Sequence, residues 1–217
     1  MEQVSPGERF GVFGGAFDPV HRGHLAAAQA VMERHCLKRV LLVPAANPPH
    51  KPVDDLAPFH HRLAMARLAA RGIPGVEVSD IEGRRGGVSY TVDTLAELAR
   101  AHPGAEMFFI IGEDSIPELP SWKELPRILA LARVAAVNRP GPRRAFHSLD
   151  FPGVPPPLLL RCEGDRVEMP PVAIASRDVR RATARGEPFD HLLPAGVGDY
   201  IRRHGLYGHR PMRGERP

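Results

Sequence analysis

Apolar and polar positions along the chain switch repeatedly between a short continuous run and a helical repeat. Residues 10–15 (FGVFGG) are an apolar run closed by paired glycines, after which Leu25, Ala28, Val31, Met32 and Cys36 recur at helical spacing. The pattern predicts a strand, a tight turn made by the glycines, and a helix starting near Val20. Val40 to Val43 predicts a buried second strand, a Pro-rich loop follows, and Leu56, Phe59, Leu63, Ala66 and Ala70 predict a second helix. Val76 to Val78 reads as a short strand, and Val92, Leu95 and Ala99 mark a third helix. Met107 to Ile111 is a fourth strand, and Val134 to Val137 is a fifth after a helix near Pro126 to Ala132. Such alternation predicts an α/β fold with a doubly wound parallel sheet, helices on both faces, and ligands beyond the carboxyl ends of the strands. The loops after Val12, Val43, Ile111 and Val137 are therefore the places to look.

Beyond the fifth strand the pattern weakens. Residues 141–171 are rich in Pro and Arg and poorly periodic, and read as a variable excursion from the 1–140 core. Two helical patterns follow within 172–208, Arg177 to Arg185 and Ala195 to His204, the second with Val197, Tyr200, Ile201 and His204 on one stripe. They predict a small C-terminal helical lobe within one domain, 1–217.

Composition adds exclusions. With 217 residues, 43% hydrophobic and 25% charged, the chain is well able to form a core. The net charge of +4 rests almost wholly on arginine, since Lys38, Lys51 and Lys123 are the only lysines. That surplus suits a small anionic ligand but demands no nucleic acid, and with 6% aromatics no base-stacking platform is evident. Cys36 and Cys162 match no metal spacing or disulfide framework, which fits a reducing cytoplasm. Met1 to Phe10 lacks the apolar run of a signal peptide, and Ile128 to Val137, cut by Arg133, is about half of the ~20 residues a membrane span needs.

The most informative stretch is Gly14-Gly15-Ala16-Phe17-Asp18-Pro19-Val20-His21-Arg22-Gly23-His24. Glycines at a strand end let the backbone approach a phosphate, and the following helix aims N–H groups and its positive dipole end at that anion. His21 and His24, three apart, bring both imidazoles to one side, with Gly23 leaving room for a ligand. Two donors beside a helix N-terminus can stabilise charge on a transferring phosphoryl group and its leaving pyrophosphate. Read singly, the glycines merely turn the chain and the histidines cap a helix or bind a metal. No Gly-Lys-Ser/Thr follows the glycines, and Gly11, Gly14 and Gly15 do not form G-x-G-x-x-G, which argues against a P-loop enzyme or a dehydrogenase.

GGAFDPVHRGH resembles the H-x-G-H signature of the nucleotidyltransferase superfamily and, in its G-x-F-D-P-x-H-x-G-H form, the bacterial nicotinate mononucleotide adenylyltransferase family, over residues 10–207. The resemblance implies the Rossmann-like nucleotidyltransferase fold. It also implies transfer of AMP from ATP to nicotinate mononucleotide, with Mg²⁺ carried by ATP, in NAD biosynthesis. It assigns His21 and His24 to catalysis, and Gly14, Gly15, Gly112 and Asp114 to ATP.

Further segments fit it. Asn47-Pro48-Pro49-His50-Lys51 resembles the family's N-P-P-H-K loop, whose prolines stiffen a turn presenting Asn47, His50 and Lys51 to the mononucleotide. In Ser89-Tyr90-Thr91-Val92-Asp93-Thr94, Tyr90 and Thr91 match the positions that hold the pyridine ring and its carboxylate, while Thr91 or Asp93 is also placed to cap the third helix. Trp122, the only tryptophan, is implied to stack on that ring, and Arg139 to meet the mononucleotide phosphate. His60 and His61 read as surface residues. Ile174-Ala175-Ser176-Arg177-Asp178-Val179-Arg180 resembles the second signature, usually I-S-S-T-x-x-R. It carries over Ser176 and Arg180 as triphosphate and catalytic residues, whereas Ala175 and Arg177 depart from it.

Competing readings are a transferase of the same superfamily acting on nicotinamide mononucleotide or phosphopantetheine, and a nucleotide-binding protein without catalysis, the latter prompted by Ala175 and Arg177. Oligomeric state is not legible.

Overall fold

A computed structural model describes residues 7–49, 56–138, 144–170 and 172–208. Five parallel strands form one sheet in the order β3-β2-β1-β4-β5: β1 (Arg9–Gly15), β2 (Arg39–Pro44), β3 (Val76–Val78), β4 (Glu106–Gly112) and β5 (Arg133–Val137). The chain winds outward from β1 to β3 on one side and from β4 to β5 on the other, so strand order reverses between β1 and β4. In such sheets the crevice beyond the strand ends at that reversal is where ligands bind. The register sets Phe13 beside Ile110 and Gly14 beside Val43, bringing the loops after β1, β2 and β4 to one rim.

Both faces of the sheet are covered because residues of opposite parity on each strand are apolar. Phe10, Val12, Leu41, Phe109 and Ile111 pack with Val92, Leu95 and Leu98 on one side. Phe13, Val40, Leu42, Phe108 and Ile110 pack with Ala28, Val31 and Met65 on the other. The helices are α1 (Arg22–His35), α2 (Phe59–Ala70), α3 (Ile81–Arg85), α4 (Thr91–Ala101), α5 (Leu125–Leu131), α6 (Pro156–Gly164), α7 (Ser176–Arg185) and α8 (Val197–Arg203). At Gly11 a Cβ would meet Val40 Cγ2 at 2.7 Å and Ile110 Cδ1 at 3.2 Å, so the central strand there admits no side chain.

Several expectations need correction. α3 and α6 were not legible from periodicity. α1 starts at Arg22 rather than near Val20, and α8 stops at Arg203 with His204 at its C-cap. Within 144–170, Phe146, Phe151, Val154, Leu159 and Cys162 are buried in the same core as β4 and β5. Val167 bridges to Val137, and both amide groups of Asn138 and Met169 pair, side chain to backbone, at 3.0 and 2.9 Å. Arg166 ties this stretch to Glu113 beside the end of β4. Among the described residues no helix is long and apolar enough to cross a membrane.

Candidate active site

The loop after β1 is shaped less by its glycines than by the residues after them. Gly14 and Gly15 remain in β1 beside Val43 and Pro44, and neither has a positive φ. The turn falls at Phe17, whose φ is 46°, and its ring is buried edge-on against Phe13 and His24, at centroid distances of 5.5 and 4.9 Å. The Asp18-Pro19 peptide is cis. This corrects the expectation that the paired glycines make the turn.

His21 is the N-cap of α1 and is 1% exposed, while His24 is its third residue. Their rings stack at 3.6 Å with 23° between planes, so the expected convergence of the imidazoles holds although only His24 is inside the helix. The His21 N–H donates to Nδ1 of His24 at 3.1 Å. A neutral imidazole whose Nδ1 accepts carries its proton on Nε2, which makes His24 a donor at that atom. A Cβ at Gly23 would meet two atoms of the His21 ring at 3.1 Å each and Val172 at 3.5 Å. Gly23 therefore makes room for the His21 imidazole itself rather than directly for a ligand.

The second signature meets the first. Ser176 opens α7 and its hydroxyl donates to the Pro19 carbonyl at 2.9 Å. Arg180, one turn on, donates to the Asp18 carbonyl at 2.6 Å and lies 3.6 Å from its carboxylate. Asp18 is 2% exposed, and its Oδ1 also accepts from Tyr207 Oη at 2.7 Å and from the Ala57 N–H at 3.1 Å. Burial and the neighbouring Asp18 carboxylate push the Tyr207 phenol far above its ordinary pKa, so it stays a donor. Asp178 accepts the Ala175 N–H at 3.1 Å, the half of a capping box that reaches back to the N-cap, and Ala175 has no hydroxyl to supply the other half. Arg177 is exposed, with its Nε 3.9 Å from the Asp178 carboxylate.

Beside this junction a cavity of about 210 Å³ is lined by Gly14, Gly15, Ala45, Tyr90, Thr91 and Trp122, among others. Trp122 packs edge-on against Phe109 at 5.9 Å, and Lys123 lies over the Tyr90 ring at 4.4 Å. Tyr90 is the N-cap of α4, and no side chain caps it. Neither Thr91 nor Asp93 takes the capping role: Thr91 is the first helical residue, and Asp93 is paired with Lys123 at 3.3 Å. Asn47 does not line the cavity, though Pro48 and Pro49 do, and its N–H donates to Ser89 Oγ at 3.0 Å. His50, Lys51 and Arg139 lie outside the described residues.

Gly112 lines a second, narrow cleft of about 20 Å³ with Phe13, Gly23, Asn138 and Val172, while Asp114 is exposed in the 3₁₀ segment Glu113–Ser121. His60 is exposed, but His61 is half-buried, its Nδ1 3.0 Å from Tyr200 Oη, which corrects its reading as a plain surface residue. Sequence reasoning passed over Arg62, Glu82 and Tyr207 as well. Only Arg62 left a signal, a charged residue between Leu63 and Phe59 on the core side of α2.

The chain matches the family model described as cytidylyltransferase-like over residues 12–182. A probable nicotinate-nucleotide adenylyltransferase of Thermomicrobium roseum is 43% identical over 202 residues, 92% of this chain and 91% of that protein. One from Roseiflexus sp. is 44% identical over 199 residues, 91% of this chain and 96% of that protein. Among solved structures, the nicotinic acid mononucleotide adenylyltransferase of Plasmodium falciparum complexed with NaAD superposes with a TM-score of 0.74 at 19% identity, covering 94% of this chain and 98% of that one. This last likeness is one of fold.

Proposed function

Because the chain belongs to the cytidylyltransferase-like family and to that of the nicotinate-nucleotide adenylyltransferases, we propose that it transfers the AMP of ATP to nicotinate mononucleotide, releasing pyrophosphate and forming nicotinate adenine dinucleotide, a step in making NAD. The observation that carries this reading is the stacked His21–His24 pair at the start of α1, joined to Ser176 and Arg180 and set beside a cavity walled by Tyr90 and Trp122.

In this mechanism an oxygen of the mononucleotide phosphate attacks the α-phosphorus of ATP in line, and the bond to the β-phosphate bridging oxygen breaks. The attacking group is already anionic near neutral pH, since the second pKa of a phosphate monoester is ~6, so no strong general base is needed. Catalysis is then positioning and charge stabilisation. His24 donates from Nε2 to the triphosphate, His21 stiffens that ring by stacking and by its own N–H, and Arg180 adds a fixed positive fork. Ser176 donates its hydroxyl. Gly14 and Gly15 keep the strand end open, and Gly112 and Asp114 take the adenosine. Tyr90, Thr91 and Trp122 take the pyridine ring, with the free N–H groups at the start of α4 meeting its carboxylate. Asn47, His50, Lys51 and Arg139 belong to the same proposal.

Mg²⁺ would come with the nucleotide. Among the described residues no group of three or more His, Cys, Asp or Glu side chains could hold a metal ion, and the Asp18 carboxylate is engaged by Tyr207, Ala57 and Arg180. Bound with the nucleotide, Mg²⁺ would neutralise charge on the phosphates.

The test is to incubate the protein with Mg-ATP and, separately, nicotinate mononucleotide, nicotinamide mononucleotide and phosphopantetheine, measuring pyrophosphate and adenylated product. Fastest release with nicotinate mononucleotide is expected. Release with none of the three would sink the reading.

A further inference from the structure

Arg62, on α2, is 1% exposed, and its guanidinium is spent on main-chain carbonyls. Nε donates to Ala57 at 2.8 Å, Nη1 to Ala16 at 2.8 Å and to Ala45 at 2.7 Å, and Nη2 to Ala46 at 3.4 Å. The acceptors come from three separate stretches: the signature loop after β1, the loop after β2, and the residues before α2. Burying a cation is costly unless its donors are satisfied, and only a planar fork of five N–H groups can serve carbonyls arranged around it in this way.

Glu82, 6% exposed, grips the same loop from the opposite side. Its Oε2 accepts the Ala46 N–H at 3.2 Å, and its Oε1 accepts the Thr94 hydroxyl at 2.7 Å. Thr94 in turn accepts from Arg85 at 3.0 Å. Ala46 is thus held by its carbonyl from α2 and by its N–H from α3, and the next residue, Asn47, is paired with Ser89 through N–H to Oγ at 3.0 Å and carbonyl to N–H at 2.8 Å. Ala16, Ala45, Glu82 and Ser89 all line the cavity.

We infer that Arg62 is a positioning residue that fixes the donor loop at Ala16 against the acceptor loop at Ala45–Ala46, with Glu82 as the opposing grip, and so sets the alignment of the two substrates. The inference rests on the two-substrate reading above. In-line transfer needs reacting atoms within ~3.5 Å, and a misplacement of about 1 Å can cost ~10²-fold in rate. Loosening the brace therefore acts on kcat and leaves each substrate able to bind its own loop.

The test compares wild type with Arg62→Lys in three measurements. One is the affinity for each substrate alone, using a non-hydrolysable ATP analogue and the mononucleotide. The others are kcat, and amide exchange at Ala46 and Asn47. The expected result for folded Arg62→Lys is a kcat lower by about 10²-fold, separate affinities within about threefold, and exchange at those amides at least ~10-fold faster while Leu95 and Leu98 in α4 are unchanged. A kcat within about threefold of wild type, unchanged exchange, or a loss that follows the unfolded fraction overturns the inference. Should Arg62→Lys not fold, Glu82→Ala decides, because its side chain lines the cavity and water can replace it; about 10-fold in kcat and the same exchange signature are expected. Failure of wild type to release pyrophosphate overturns the functional reading, and the exchange measurement still decides the brace.

Discussion

The two sides of the crevice are built differently. On the side proposed for the acceptor the main chain of 45–47 is gripped by buried Arg62, Glu82 and Ser89, and the cavity it borders has about 210 Å³. On the side proposed for the donor the cleft at Gly112 has about 20 Å³, and Ser176 and Arg180 spend hydrogen bonds on the carbonyls of Pro19 and Asp18. The proposed acceptor site has its main chain held in place, whereas the proposed donor site holds its polar side chains in internal bonds. Under the proposed function, ATP must trade those internal bonds for its own, so the two substrates should answer differently to substitution.

The largest effect that would test this division is His24→Ala, expected to lower kcat by at least ~10²-fold, as for loss of a transition-state donor. Near-normal turnover in a folded variant would remove the donor side as the seat of catalysis. Next is Arg180→Ala: losing a charge-assisted donor worth about 1.5–3 kcal/mol should raise the KM for ATP by roughly 10- to 100-fold and move that for the mononucleotide little. A steady-state matrix in both substrates shows which one responds, and a change confined to the mononucleotide would invert the comparison. Trp122→Ala is the mirror experiment. Loss of an aromatic contact of about 0.5–1.5 kcal/mol should raise the mononucleotide KM by roughly 2- to 12-fold with ATP unaffected.

The smallest effect comes from outside both sides. His102, at the C-cap of α4 and 4% exposed, packs edge-on against Phe10 near the start of β1, with neither ring nitrogen hydrogen-bonded. Desolvation lowers its pKa below the ordinary 6.5, aided by Arg39. A depressed histidine pKa means the unfolded chain takes up the proton first. Its contribution is therefore fully present above pH 6.5 and is lost as pH falls through the folded value. His102→Phe should flatten the fall of Tm below pH 6.5 while leaving kcat unchanged; an equally steep fall would clear His102 as the cause.

The sheet was legible because each strand is a compact apolar run at a strand's length, and α1, α2 and α4 show three-and-four spacing. α6 was not, because Pro155, Pro156 and Pro157 at its start mask the repeat, and α3 at five residues is too short to show one. Around the site, the imidazole pair could be read from spacing alone, since any helix start brings positions three apart together. The turn at Phe17 could not: a positive φ at a phenylalanine is set by the packing of its ring against Phe13 and His24. Nor could Tyr207, whose acceptor lies 189 positions away, and for Arg62 the charge on the core side of α2 was a signal but its distant carbonyl acceptors were not.

That distance of 189 positions between Tyr207 and Asp18 bears on how the protein is made. A ribosome delivers the tyrosine that closes on the signature loop long after the loop itself. Until Arg180 and Tyr207 have emerged, the nascent chain carries both histidines without the guanidinium and phenol that anchor their loop, so catalytic competence should follow their arrival, as a late event in biogenesis.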